Sequence, residues 1–392
     1  MAIYKLFPTK DSTLYSGYPK MNTGLDSILE SSTDFFTDQT VSGSIGVSAP
    51  IRFVGEFPQA SRFLVQFDLD EILNVADVIA EGKPITSFLR VYSANARGLS
   101  SDTTLVVNAV GQNWNMGTGE YLLNPIVSDG CSWDHPLSLG SGSWNTNRTP
   151  LLGVTGSFSG SNNQGGGAWY TASQAPSMSI SQSFSFYSSL DLNVNVTDIV
   201  TKWSSSEFIN YGFIVRQSAS QEFIKDTNQQ TELKFFSRDT NTIYPPQLEI
   251  KWDDSTFNTG SSVSTVLNTN EALIALSNNK GEYYPEEIAK LRINAVERYP
   301  ARTYLTASIY TNNRYLPSGS SLYAIKDSKT NEYVIDFDSN FTKISADSVS
   351  SFFKLYMNGL DPERYYTVLI KTIIDGETKV FDENLNFKVI EG

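Results

Sequence analysis

Across 392 residues the chain carries one cysteine, Cys131, and one histidine, His135. A single thiol rules out an intrachain disulfide. Zinc sites built from several Cys or His ligands lose their raw material, and so do Ser or Cys nucleophiles activated by a histidine base. The two residues stand four apart in Gly130-Cys131-Ser132-Trp133-Asp134-His135-Pro136, read here as a loop around a buried thiol rather than a catalytic pair. Positive charge is also scarce: 29 Lys+Arg face 42 Asp+Glu, a net charge of -13, and no basic run occurs. Such a surface repels a phosphate backbone, so no nucleic-acid partner is expected. No apolar run approaches the roughly 20 residues that span a bilayer, so no membrane partner is expected. Residues 1–8, Met-Ala-Ile-Tyr-Lys-Leu-Phe-Pro, lack a basic segment followed by an apolar stretch. The expectation is a chain made in a cytoplasm without a secretory leader. The sequons at Asn147, Asn195 and Asn340 then carry no weight.

Strand patterning is pervasive. Short alternating or wholly apolar runs at 62–69, 88–92, 105–110, 210–216 and 246–252 are punctuated by Gly, Pro, Asn, Asp and Ser. Without alternation of strands and helices, this predicts an all-β chain of the sandwich or jelly-roll type. One short helix is expected within 195–203, capped by Thr197 or Asp198, with Ile199, Val200 and Trp203 on one face. A second short turn is expected after Asp70.

All six tryptophans precede residue 253, where a polar stretch beginning Asp253-Asp254-Ser255 marks a boundary. The expected organisation is a domain over 1–252, a linker over 253–272 and a smaller immunoglobulin-like β-sandwich over 273–392. Within the latter, 291–295, 301–307 and 366–371 read as strands, and Asp375-Gly376 reads as a hairpin turn.

Residues 138–188 differ in texture, with large aromatics set among Ser, Gly, Asn and Thr, including Gly156 to Ser161 and Gly165-Gly166-Gly167. An excursion of this kind is usually contact-making. Trp144, Trp169 and Tyr170 are its candidate contact residues. They would serve a neighbouring subunit, stack on a sugar ring, or pack within their own domain.

No catalytic, cofactor or metal site is expected. The carboxylate pairs Asp68/Asp70 and Asp191/Asp198 suit a glycosidase only if they flank a substrate, and strand-end aspartates commonly form turns. Asp253/Asp254 and Asp336/Asp338 offer oxygens to calcium but lack the spacing of a calcium loop, so solvated turns are the simpler account.

Six segments, in order, resemble the DNRLRE family, a carbohydrate-binding-module-like jelly roll of bacterial and archaeal surface proteins. They are 11–15 with Asn22-Thr23-Gly24, the Arg62-to-Asp68-Leu69 strand, 85–92, 192–203, Asn210-Tyr211-Gly212-Phe213 and 245–250. The resemblance covers about 1–252 and implies fold more than activity; no site residues follow from it. The tryptophan motif is only partly kept, as Trp114 and Trp133, and 138–188 is a departure. The C-terminal region is similar to a β-domain of virion proteins from contractile-tailed phages of marine bacteria. Tyr283-Tyr284-Pro285, 298–302, 322–327, 335–338, 342–345 and 359–366 carry that similarity. Together the resemblances imply a non-enzymatic structural part of a phage particle, in tail, baseplate or neck. It would be assembled in the host cytoplasm and would contact other virion proteins and copies of itself. The alternative they imply is an adhesin or receptor-binding protein whose exposed aromatics grip a cell-surface glycan.

Overall fold

The structure is a computed structural model that describes residues 2–35, 58–99, 103–144, 151–153, 165–170, 179–222, 230–259, 266–299 and 313–391. The predicted strand at 301–307, the run 156–161 and the sequon at Asn147 lie outside the described residues. Strand makes up 44% and helix 7%, so the protein is all-β, built from several antiparallel sheets. Its contacts group into two compact units. One comprises Leu6–Asn74 and Thr86–Glu249; the other comprises Met1–Lys5, Val75–Ile85 and Ile250–Gly392.

The first unit is organised on an antiparallel sheet. Its strands follow the order Ser179–Phe184, Thr103–Ala109, Phe213–Gln217, Pro58–Gln66, Ile28–Phe35, Glu232–Phe236 and Ser93–Arg97. Lys10–Tyr15 pairs with the Pro58–Gln66 strand as well, with Lys10 opposite Gln66 and Tyr15 opposite Ser61. Pro58–Gln66 is central, and its run Phe63-Leu64-Val65 is wholly buried because both faces of the sheet are covered. The alternation of strand side chains sorts these residues. Leu64 and, on its neighbour, Ile214 join a cluster with Trp114, Trp133, Trp144 and Trp169. Phe63 turns the other way onto Phe235, and Phe213 onto Trp203, with ring centroids 5.6 and 4.8 Å apart.

Trp203 belongs to the helix Thr197–Ser204, whose Ile199, Val200 and Trp203 are buried as their spacing predicts. The expected cap is corrected. Val196 precedes the helix without a side-chain cap, and Asn195 Oδ1 instead accepts from Thr197 N at 3.0 Å. Thr197 Oγ1 is occupied by accepting from Ser87 N. The short helix Leu69–Leu73 follows Asp68, whose Oδ1 accepts from Asp70 N.

The second unit contains a four-stranded sheet, Ala272–Leu276, Ile288–Glu297, Ser351–Tyr356 and Ser345–Ala346. It also contains a five-stranded sheet, Glu282–Tyr283, Glu377–Val389, Arg364–Ile374, Leu322–Asp327 and Tyr333–Ile335. Ile288–Glu297 alternates with period two, burying Ala289, Leu291, Ile293 and Ala295. Tyr323 stacks on Phe353 at 4.3 Å, joining residues of the two sheets in one core. The hairpin turn falls at Asp375-Gly376, between paired Ile374 and Glu377. Both turn residues have positive φ, 53° and 81°, which this turn type requires.

Candidate functional site

Of the three aromatic residues singled out in the sequence, the two tryptophans are not presented to solvent. Trp144 is 2% exposed and Trp169 1%, both inside the cluster behind Leu64 and Ile214. Trp144 Nε1 donates to Ser132 O at 2.9 Å. Tyr170 is half-buried and packs edge-on against Phe208 at 4.6 Å. A pyranose cannot reach faces enclosed in this way, so Trp144 and Trp169 are core residues. Beside Trp169, Gly165-Gly166-Gly167 suggests open loop but reflects tight packing against Trp133 and Arg62.

What Trp169 covers is a buried ion pair. Arg62, in the central strand, is wholly enclosed, and its Nε and Nη2 donate to the two oxygens of Glu222 at 2.5 and 2.9 Å. Arg62 Nη1 donates to Gly166 O at 2.8 Å. The guanidinium lies between Trp133 and Trp169, 4.6 and 5.0 Å from their ring centres. Arg216 approaches the Trp169 ring as well, at 5.0 Å. Burial lowers the Arg216 guanidinium to about 10; Glu222 works against that shift and Arg62 with it. A bidentate arginine–carboxylate pair, hydrogen-bonded all round and walled by indoles, fixes geometry more than it adds stability.

The loop over 115–143 is braced by Asn22 and Asp26 and by bonds of its own. Asn22 Nδ2 donates to Met116 O and Cys131 O at 2.6 and 2.8 Å, and its Oδ1 accepts from Gly24 N and Gly119 N. Asp26 Oδ1 accepts from Tyr121 N, Thr118 bonds twice to Asp129, and Leu139 N donates to Ser128 O. This scaffold holds Tyr121, Leu122 and Leu123 out to solvent, Leu122 at 51% exposure, and Leu25, Leu137 and Leu139 are exposed too. Sequence reasoning missed this feature; its signal is the run Tyr121-Leu122-Leu123 between Gly119 and Pro125. Phe186 and Tyr187, at 76% and 95%, project from the Ser185–Ser188 turn.

The remaining candidates resolve into local structure. Burial raises the Cys131 thiol to about 12, while the His135 ring donates from Nδ1 to Gly142 O at 2.9 Å. Asp68 caps a helix and Asp191 Oδ1 accepts from Ser93 N, so neither pair is arranged around a common cleft. Asp253 accepts from Ser255, Asp336 from Phe337 N, and Asp338 from Asn340 N and Phe341 N, all of them turn contacts. Among the described residues no three His, Cys, Asp or Glu side chains converge as a metal site would need.

No family model matches the chain, and no curated protein matches it in sequence. Among solved structures, the crystal structure of a "putative beta-galactosidase" from Bacteroides fragilis aligns at 10% identity with a TM-score of 0.18. The alignment covers 97% of this chain but only 41% of that protein. Similarity at this level carries no argument about either fold or activity. What stands is a largely β protein of several antiparallel sheets.

Proposed function

We propose that the chain is a non-enzymatic structural component of a tailed-phage particle, working through contacts with other virion proteins and with copies of itself. The observation that carries the contact reading is the braced loop, which holds Tyr121, Leu122 and Leu123 in the open. Large apolar side chains fixed at the surface lower solubility unless a partner covers them, and rigidity spares such a partner the entropy of ordering the loop. Support for a phage particle comes from the C-terminal segments such as Tyr283-Tyr284-Pro285. Support for a DNRLRE-like N-terminal module comes from the Arg62 strand and the Asn22 and Asn210 motifs.

The test is solution mass by light scattering on the whole chain and on Leu122→Asp/Leu123→Asp. The expected result is an oligomer, or a complex with co-expressed virion proteins, that the double variant loses while remaining folded. An unchanged assembly in the variant, or a monomer that joins no particle, would count against the reading. Deleting 138–188 is not an equivalent probe, because it removes two core tryptophans. A glycan-binding reading now rests on the exposed Phe186–Tyr187 pair, whose rings meet edge-to-face at 5.3 Å. Its check is a glycan array on the Tyr187→Ser variant.

A further inference from the structure

At the foot of the braced loop lies a small pocket lined by Tyr15, Tyr18, Tyr121, Glu30, Ser32 and Gln59, with Gly17, Ala60 and Ser61 completing its wall. Tyr15 and Tyr18 come from the Lys10–Tyr15 strand and the turn after it, and Tyr121 from the loop. The Tyr121 ring centre is 4.8 Å from that of Tyr15 and 5.9 Å from that of Tyr18. A Cβ on Gly17 would stand 1.8 Å from Gln59 Oε1, so the end of the Gln59 side chain would have to shift. The cavity measures about 40 Å³, which suits a single ammonium head and is too small for a six-membered sugar ring.

The charges around it are unbalanced. Glu30 Oε1 accepts from Ser32 Oγ at 2.6 Å and its Oε2 from the Tyr15 hydroxyl at 3.4 Å. Asp26 and Glu120 are close enough to Glu30 or to one another to raise carboxyl pKa values; burial first, and then these neighbours, lift Asp26 to about 6. Lys234 stands 3.8 Å from Glu30 but is held at 2.5 Å by Glu232, which also faces Arg97 at 3.6 Å. Glu30 alone carries charge among the residues that line the pocket. Tyrosine faces and a desolvated carboxylate are the two features that attract an organic cation, and the size of the cavity suits its head.

We propose that this pocket binds an alkylammonium group, with Glu30 as counter-ion and Tyr15, Tyr18 and Tyr121 as its aromatic wall. The assignment shares Tyr121 with the assembly reading, whose own test changes only Leu122 and Leu123. The size of the cavity favours a primary ammonium, such as a lysine tip, over a bulkier quaternary amine.

The test is saturation-transfer NMR on the full chain with two probes, Nα-acetyl-lysine methylamide and tetramethylammonium. Potassium chloride at matched ionic strength and glucose are the controls. Transfer to at least one ammonium probe and none to glucose is expected, and the stronger probe distinguishes a lysine tip from a quaternary amine. Tyr121→Ala and Glu30→Gln should each weaken the signal at least fivefold. Should Glu30→Gln not fold, Tyr121→Ala decides, since that ring is half-exposed and its loss leaves the Asn22 brace intact. Absence of transfer from both probes, transfer unchanged in a folded Tyr121→Ala, or equal transfer from glucose would overturn the assignment.

Discussion

Asp11 illustrates how single residues set the conditions under which this fold holds. Its carboxyl is almost wholly buried, and Oδ2 accepts from Arg238 N at 2.6 Å. Burial raises it to about 7; the Arg238 backbone bond opposes the shift, and Asp239 adds to it. Between the unfolded value of roughly 4 and about 7, the native state keeps a proton that the unfolded chain has released. Stability from this group is therefore complete below pH 4 and falls as pH rises to 7. Asp11→Asn cannot ionise but still offers Arg238 N an acceptor. In urea titrations at pH 4.5 and 7.5, wild type should lose on the order of 2–4 kcal/mol more than the variant over that interval. Equal losses would show that Asp11 is ionised without penalty. The tryptophans make a second residue-scale case. Trp169→Ala should cost about 3–5 kcal/mol by opening a cavity beside Arg62. Tyr187→Ser should stay within about 0.5 kcal/mol, because that ring touches little of the core. Comparable denaturation midpoints for the two variants would contradict the burial described above.

At the scale of elements, the two Asn-x-Gly segments show what was legible in the sequence and why. Asn210 Nδ2 donates to Phe67 O and its Oδ1 accepts from Gly212 N, tying the Phe213–Gln217 strand to its neighbour. Gly212 takes φ +86°, and a Cβ there would meet Val65 O at 2.3 Å, so the motif can be read locally. Asn22 makes the corresponding clamp, but its partners Met116, Gly119 and Cys131 lie about a hundred positions away, and no periodicity reveals them. Asn22→Ala leaves two carbonyls and two amides unpaired, at a cost of about 2–4 kcal/mol. The loop should then admit chymotrypsin at Tyr121 or Leu122 under native conditions, as mass spectrometry of a short digest would show. A variant as resistant as wild type would place the bracing elsewhere. The helix Thr197–Ser204 was legible through Ile199, Val200 and Trp203, but its cap was not, since Asn195 and Thr197 compete for the same role. Of the candidate contact residues, Trp144 and Trp169 lie in the core, packed within their own domain. Gly165-Gly166-Gly167 before Trp169 looks like open loop, yet it passes so close to Trp133 and the buried Arg62 that no side chain would fit. Glu222 lies 160 positions from Arg62, so nothing local announces the pair.

For the whole molecule, the all-β class follows from strand patterning and short breakers, which depend only on local composition. The surfaces that would meet a partner depend on which side chains the long loops leave outside, and that is decided by distant contacts. The net charge of -13 bears on assembly as well: copies of this chain repel one another over a Debye length, so any self-association gathers strength as salt rises.

The division of the chain into units also has a bearing on its birth. The unit that includes Ile250–Gly392 takes in Met1–Lys5 and Val75–Ile85, whereas the other closes with Glu249. On a ribosome adding roughly 5–20 residues per second, the first five residues emerge roughly 10–50 s before residue 250 is made. The unit ending at Glu249 has all its parts while translation continues, whereas Met1–Lys5 and Val75–Ile85 belong to the unit completed later. A nascent chain stalled near residue 290 should therefore already hold the tryptophan-walled Arg62–Glu222 pair, while Ile3 still lacks most of the core residues from Leu316 to Val389 that it packs among.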